Sequence, residues 1–225
     1  MGRLVVGTLI GVFAALLAGG AMGAQVDVAP SMADETLFRR LEPHMTLAGL
    51  RLEEATLESA MRRLGNVDRK DWLKGTKAPF ICYVGPDGAR LGLGFAGSEG
   101  LPILGRFELA AATAELEFRP NSVVPKADRP TCLPVKKLFA QTAGGLRLGM
   151  TKVEVTSLLG RENGGSGEHS WAYSGSVRLE LTPAQREILV EAGVIPADFL
   201  VERELRLEFK NDRLVAIRAR QLTHD

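Results

Sequence analysis

The chain has 225 residues, 45% hydrophobic and 24% charged, with a formal net charge of +1 from 28 basic and 27 acidic residues. These globular proportions argue against disorder over most of the chain, and the balanced charge offers no global field for nucleic acid or an anionic bilayer. About 200 residues bury roughly 70% of their unfolded surface, enough for one large core or two small ones.

Arg3 precedes fifteen uncharged, mostly apolar residues, 4–18, and small residues fill 19–24. That order is that of a secretory signal, residues 1–24, with cleavage expected after Gly23 or Ala24. The uncharged run reaches Val26, so an uncleaved anchor is the alternative, and membrane contact is expected only in that case. Leu17-Ala18-Gly19 would form a lipobox if cysteine came next; Gly20 stands there, so no acyl chain is attached at that site.

Residues 31–42 predict a short helix capped by Ser31 or Asp34, with Leu37, Phe38 and Leu41 as its apolar face and Pro43 at its end. A second helix is expected over 56–64: Thr56 and Ser59 take the capping positions, Leu57, Ala60, Met61 and Leu64 form a stripe, and Gly65 closes it. Residues 66–78 are polar and loop-like around Trp72. Strands are expected at 80–84 and 90–95, joined by a Pro86-Asp87-Gly88 turn, and at 103–110 and 114–119. In the last of these, Ala114, Leu116 and Phe118 alternate with Glu115, Glu117 and Arg119.

Residues 120–134 hold four prolines without periodicity and read as a connector. Beyond it come a helical turn near 135–140, a helix from Thr151 to Gly160, a glycine-rich loop at 163–167, strands at 170–173 and 177–181, and an inserted helix over 182–192 with Thr182 as N-cap. A final hairpin pairs 203–209 with 214–220. There Leu205, Leu207 and Phe209 alternate with Arg206 and Glu208, and Val215 and Ile217 supply the facing residues.

The helix at Thr151 carries a capping box with Glu154 and an apolar stripe of Val155, Leu158 and Leu159. Its context, residues 144–160 (GGLRLGMTKVEVTSLLG), is echoed by residues 48–65 (AGLRLEEATLESAMRRLG), with one residue slipped between the copies. A period near 95 residues suits a duplicated small domain. The expected architecture is α+β, two related units, each with short helices packed on one face of an antiparallel sheet: residues 31–119, a connector at 120–134, and residues 135–221.

Leu148-Gly149-Met150-Thr151, Val155, Leu158-Leu159-Gly160, Trp171-Ala172-Tyr173 and the closing hairpin together resemble the SmpA/OmlA/BamE domain of bacterial envelope proteins. The first half is a divergent match lacking Gly-Met-Thr and Trp-x-Tyr, and the tandem resembles the architecture of beta-lactamase inhibitory protein. The resemblance implies protein binding across a sheet face without catalysis. Lacking the lipobox cysteine, the chain departs from the lipoprotein members.

Cys82 and Cys132 are expected to form a disulfide in an exported chain with two cysteines. Gly92-Leu93-Gly94-Phe95-Ala96-Gly97 spells GxGxxG, but Ser98 to Pro102 does not open the helix that a dinucleotide site needs, so these read as strand glycines. Ser98 and Ser166 lack flanking glycines on both sides, and His44, His169 and His224 are scattered and read as surface or turn residues. Glu53-Glu54 and Glu115/Glu117 read as solvated faces. No catalytic residue, metal or cofactor is therefore expected, and the chain reads as a non-enzyme. Trp171 and Tyr173 share a strand face, as core packing or as an aromatic anchor for a partner. Arg178, Arg206, Arg218 and Arg220 line the opposite face of the second sheet, as a solvated face or a patch for an acidic partner. The function these readings support is a periplasmic or secreted interaction module for an unidentified envelope protein. The alternatives are an envelope hydrolase, which would need a pocket of converging titratable groups, and a purely structural envelope protein.

Overall fold

The computed structural model describes residues 32–68, 79–96, 102–117, 125, 128–138, 141–191, 193 and 198–224. The expectations for the signal segment, Trp72, Gly97 and Ser98 lie outside these residues. Helix α1 (Met32–Leu41) buries Phe38 and Leu41 and runs into a 3-10 turn, Glu42–Met45, where Pro43 cannot continue an α-helix. A tight ribbon of β1 (Thr46–Leu47) and β2 (Leu50–Arg51) leads to α2 (Leu57–Leu64), whose N-cap Thr56 accepts from the Ser59 N–H. Strands β3 (Phe80–Val84), β4 (Arg90–Ala96) and β5 (Ile103–Ala110) form a meander, followed by a short β6 (Cys132–Pro134). Then come α3 (Lys152–Leu159) with its capping box, β7 (Gly164–Gly167), β8 (Ser170–Leu179), α4 (Pro183–Glu191), β9 (Phe199–Lys210) and β10 (Arg213–His224).

These strands build an eight-stranded sheet in the order β6-β3-β4-β5-β10-β9-β8-β7. It is mixed, because β6 runs parallel to β3, while its other neighbours are antiparallel. The fold is thus α+β, and the expectation of purely antiparallel sheets is corrected at this edge. The two meanders meet through β5 and β10, so the strands form one continuous surface.

Five local expectations change. Residues 114–117 are not a strand: the chain turns where the Ala114 N–H bonds the Ala111 carbonyl, and Ala114 and Leu116 fold over Phe80, Val215 and Ala216. Residues 135–138 are not helical, because the Val135 N–H extends the β6 pairing to the Val84 carbonyl. The glycine-rich 163–167 includes an edge strand, and β8 is unbroken across Gly175. In α3, Val155 and Leu159 are fully buried but Leu158 is 37% exposed.

Cα partners run in rows across the sheet. Tyr83, Leu91, Leu109, Ile217, Leu207 and Trp171 form one row, and Ile81, Leu93, Phe107, Ala219, Leu205 and Tyr173 the next. These belong to the main core, together with residues of α2, α3 and the β1–β2 ribbon. Helix α1, though first in sequence, packs on β8 and β9, on the same face as the main core.

Both halves repeat the same connections. Tyr83 Oη donates to the carbonyl of Gly65, the C-cap of α2, at 2.8 Å; Tyr173 Oη donates to that of Gly160, the C-cap of α3, at 3.1 Å. Burial pushes both phenols up to about 12. The Glu53 and Gly149 N–H groups donate to the Leu104 and Leu214 carbonyls, and the Leu104 and Leu214 N–H groups return to Ala55 and Met150. The slipped residue therefore lies between Glu53 and Ala55, and Glu53 and Gly149 both take positive φ there, 61° and 84°. Matching bulges set Phe95 opposite Leu104 and Phe209 opposite Leu214. The second bulge turns Val215 out of the expected facing pair and into the smaller apolar cluster with Phe80 and Ala216.

Candidate functional site

The face away from α2 and α3 is built by the residues alternate to the core rows. One row runs across the whole sheet: Cys132, Cys82, Gly92, Glu108, Arg218, Arg206, Ala172 and Gly164. The next holds Phe80, Gly94, Arg106, Arg220, Glu204 and Ser174. Period-two alternation therefore brings charged residues of β5, β9 and β10 side by side across the seam between the meanders.

Arg218 is the centre of one cluster. Its Nε donates to Glu108 Oε1 at 2.6 Å, one Nη donates to Glu208 Oε2 at 3.1 Å, and Glu117 Oε2 lies 3.4 Å away. Glu108 is 5% exposed; burial raises its pKa, while Arg218 and the Glu117 N–H, which donates to Glu108 Oε2 at 2.7 Å, pull it down. A second cluster centres on Glu204, whose two carboxylate oxygens accept from the Nε groups of Arg206 and Arg220. Charges of opposite sign thus hold one another on this face, which lowers the cost of ordering them.

Gly92 and Gly94 shape the floor. A Cβ on Gly92 would lie 2.6 Å from the Phe80 ring, and one on Gly94 would lie 2.6 Å from Arg106 Nε. The missing side chains let Phe80 and Arg106 lie along β4, with the guanidinium carbon 5.1 Å from the ring centre. Burial lowers the Arg106 pKa. A depression of about 60 Å³ lies here, lined by Phe80, by Arg106, Arg206, Arg218 and Arg220, and by the carboxylate-bearing Glu108, Glu117 and Glu204.

The residues singled out as a partner-binding set divide between the faces. Arg206, Arg218 and Arg220 come together as expected, and Arg178 shares their face opposite Leu200, farther along β8. Trp171 and Tyr173 lie on the helix-covered face instead. Tyr173 is fully buried, and Trp171 packs on Phe209 with ring centres 4.7 Å apart. Period two placed the aromatics correctly on one strand face, and that face is core.

Cys82 and Cys132 form the expected disulfide, with Cα atoms 4.4 Å apart. It pins β6 to β3 where the two residues are register partners. His44 is corrected from surface to core: it is 3% exposed, with Nδ1 3.0 Å from Thr142 Oγ1. Glu53 is also not simply solvated, since it accepts from Gln221 and Thr223. Glu115 is paired only distantly, 3.9 Å from Arg129, whereas Glu117 joins the Arg218 cluster.

Sequence reasoning missed Arg106, Glu108, Glu204 and Glu208. The β5–β10 junction that brings Arg106 and Glu108 to β10 was not legible, whereas Glu204 and Glu208 lie on the expected β9–β10 hairpin and alternate there with apolar residues. Among the described residues, no three His, Cys, Asp or Glu side chains are placed to hold a metal, and no helix is long and apolar enough to cross a membrane. No protein-family model, curated protein or solved structure matches the chain.

Proposed function

We propose that this chain is an exported interaction module that binds a partner protein of the bacterial envelope through the face of its sheet away from α2 and α3. The observation that carries this reading is the asymmetry of the sheet: α1, α2, α3 and the paired ribbon cover one face, while cross-strand arginine and glutamate side chains occupy much of the other. The disulfide and the signal-like N-terminus support export to the periplasm. The repeated tyrosine-to-cap bonds and bulges support an origin by doubling of one helix-over-sheet unit, in keeping with the resemblance to tandem SmpA/OmlA/BamE-like domains.

The available area fits a macromolecule. Strands β5, β10, β9 and β8, which run 8, 12, 12 and 10 residues, at about 3.4 Å per residue and about 4.8 Å spacing, present roughly 700 Å², near one partner's share of a standard protein interface. The depression on this face, about 60 Å³, is far below the roughly 300–1,000 Å³ of a small-molecule site; a hollow of about 560 Å³ lies elsewhere, between the β1–β2 ribbon and α2.

A photo-crosslinking residue at Ala172 or Arg178, on this face, is expected to give a discrete adduct in whole envelopes. The same residue at Val153, 73% exposed on α3, is expected to give none. Adducts at Val153 alone, or at neither sheet position, would remove the sheet face from the proposal.

A further inference from the structure

Arg206 and Arg220 converge on Glu204 from β9 and β10, and both spend their Nε–H on its two oxygens. Among the described residues, Glu204 is the hydrogen-bonding partner of both guanidinium groups, and their Nη edges donate to no protein acceptor. The side chains are 43% and 39% exposed, against 11% for Glu204. Arg218 contrasts with them: 23% exposed, it has carboxylates on both Nε and Nη. The two clusters therefore differ in sign. One cation meets the three carboxylates of Glu108, Glu117 and Glu208, whereas two cations share Glu204.

We infer that the Arg206–Arg220 pair is a receiving site for an acidic side chain of the partner protein, gripped by the outward Nη edges while Glu204 holds the two arginines in place. This inference rests on the surface reading above and names the chemistry of its contact. A guanidinium offers donors in a fixed planar fork that matches a carboxylate. Glu204 anchors both forks through Nε, so little side-chain entropy remains to be lost on binding. The adjoining depression, about 60 Å³, has room for a side-chain terminus. Arg106, across the strand from Arg220, adds to the positive field.

The test is a titration of the isotopically labelled protein with a capped hexaglutamate peptide, read on the arginine Nε–H resonances, with hexaglutamine as the neutral probe. Shifts are expected at Arg206 and Arg220 with the glutamate peptide and at neither with glutamine. Arg206→Gln/Arg220→Gln should weaken binding about tenfold or more. Arg206→Lys/Arg220→Lys, which keeps the charge and loses the fork, should fall between. Arg39→Gln/Arg62→Gln, the same charge change on exposed helix positions, should leave affinity unchanged. Equal loss in that control, shifts absent from Arg206 and Arg220, or the same shifts from inorganic sulfate at matched ionic strength would each overturn the inference. Adducts at Ala172 that persist in the Arg206→Gln/Arg220→Gln protein, together with no peptide binding, would refute this contact and leave the surface reading standing.

Discussion

His44 shows how one side chain couples segments far apart in sequence. It lies beside Gly144, where an added Cβ would fall 2.4 Å from the ring, and its Nδ1 faces Thr142 Oγ1, which itself accepts from the Leu146 N–H. A neutral Nδ1 can accept the threonine proton and a protonated one cannot. Burial lowers the pKa from 6.5 to about 4. The unfolded chain therefore binds the proton more readily. Stability from this residue is complete above about pH 6.5 and is lost as the pH falls toward 4. Urea unfolding should show a loss of about 2 kcal/mol between pH 7 and pH 5, and His44→Gln should flatten that dependence at a lower plateau. A wild-type stability unchanged over this interval would refute the account.

At the scale of elements, the seating of α1 depends on a strand glycine. A Cβ on Gly175 would meet the Phe38 nitrogen at 2.4 Å and the Asp34 carbonyl oxygen at 2.7 Å, so helix backbone rests directly on β8. Arg203 completes the clamp. Only 6% exposed, it donates to the Phe38 carbonyl at 3.1 Å, bonds Gln221, and stacks 3.9 Å above the Phe38 ring. Burial lowers its pKa, with Glu42 favouring the charge. Gly175→Val should lift α1 and cost about 2–5 kcal/mol through the lost burial of Phe38 and Leu41. Trypsin should then cut quickly after Arg39 or Arg40. Gly164→Ala, whose Cβ would sit at an ordinary 3.5 Å from Ala172 Cβ, should leave both stability and digestion unchanged.

For the molecule as a whole, the disulfide anchors an edge strand. It closes a loop with a sequence separation of 50, which in the chain-entropy account corresponds to about 4 kcal/mol. Replacing both cysteines by alanine should lower the unfolding free energy by about 2–4 kcal/mol. The β3–β4–β5 and β8–β9–β10 meanders, paired through their own backbone, should keep their circular dichroism signal. Loss of that signal would mean that the edge organises the sheet.

The sequence by itself determined what depends on neighbours along the chain. The Thr56 and Thr151 caps, the Gly65 and Gly160 stops and the alternation in β4, β5 and β9 follow from local hydrogen bonding and from periods of 3.6 and 2. The echo between residues 48–65 and 144–160 showed a one-residue offset, and the hydrogen bonds of Glu53 and Ala55, set against those of Gly149 and Met150, place it. Tertiary structure alone decided which face each alternation presents and what covers it. Ala114 and Leu116 alternate like a strand but pack as a flap, because β10 already occupies the outer edge of β5. Trp171 and Tyr173 share a strand face that the sequence leaves open between core packing and a partner anchor, and Gly160 and Phe209 set against them decide for the core. Arg206 and Arg220 meet Glu204 within β9 and across the closing hairpin, which local spacing could show, but Arg218 acquires Glu108 only through strand pairing across the seam, since register between segments a hundred residues apart is set by the shared core and not by local spacing.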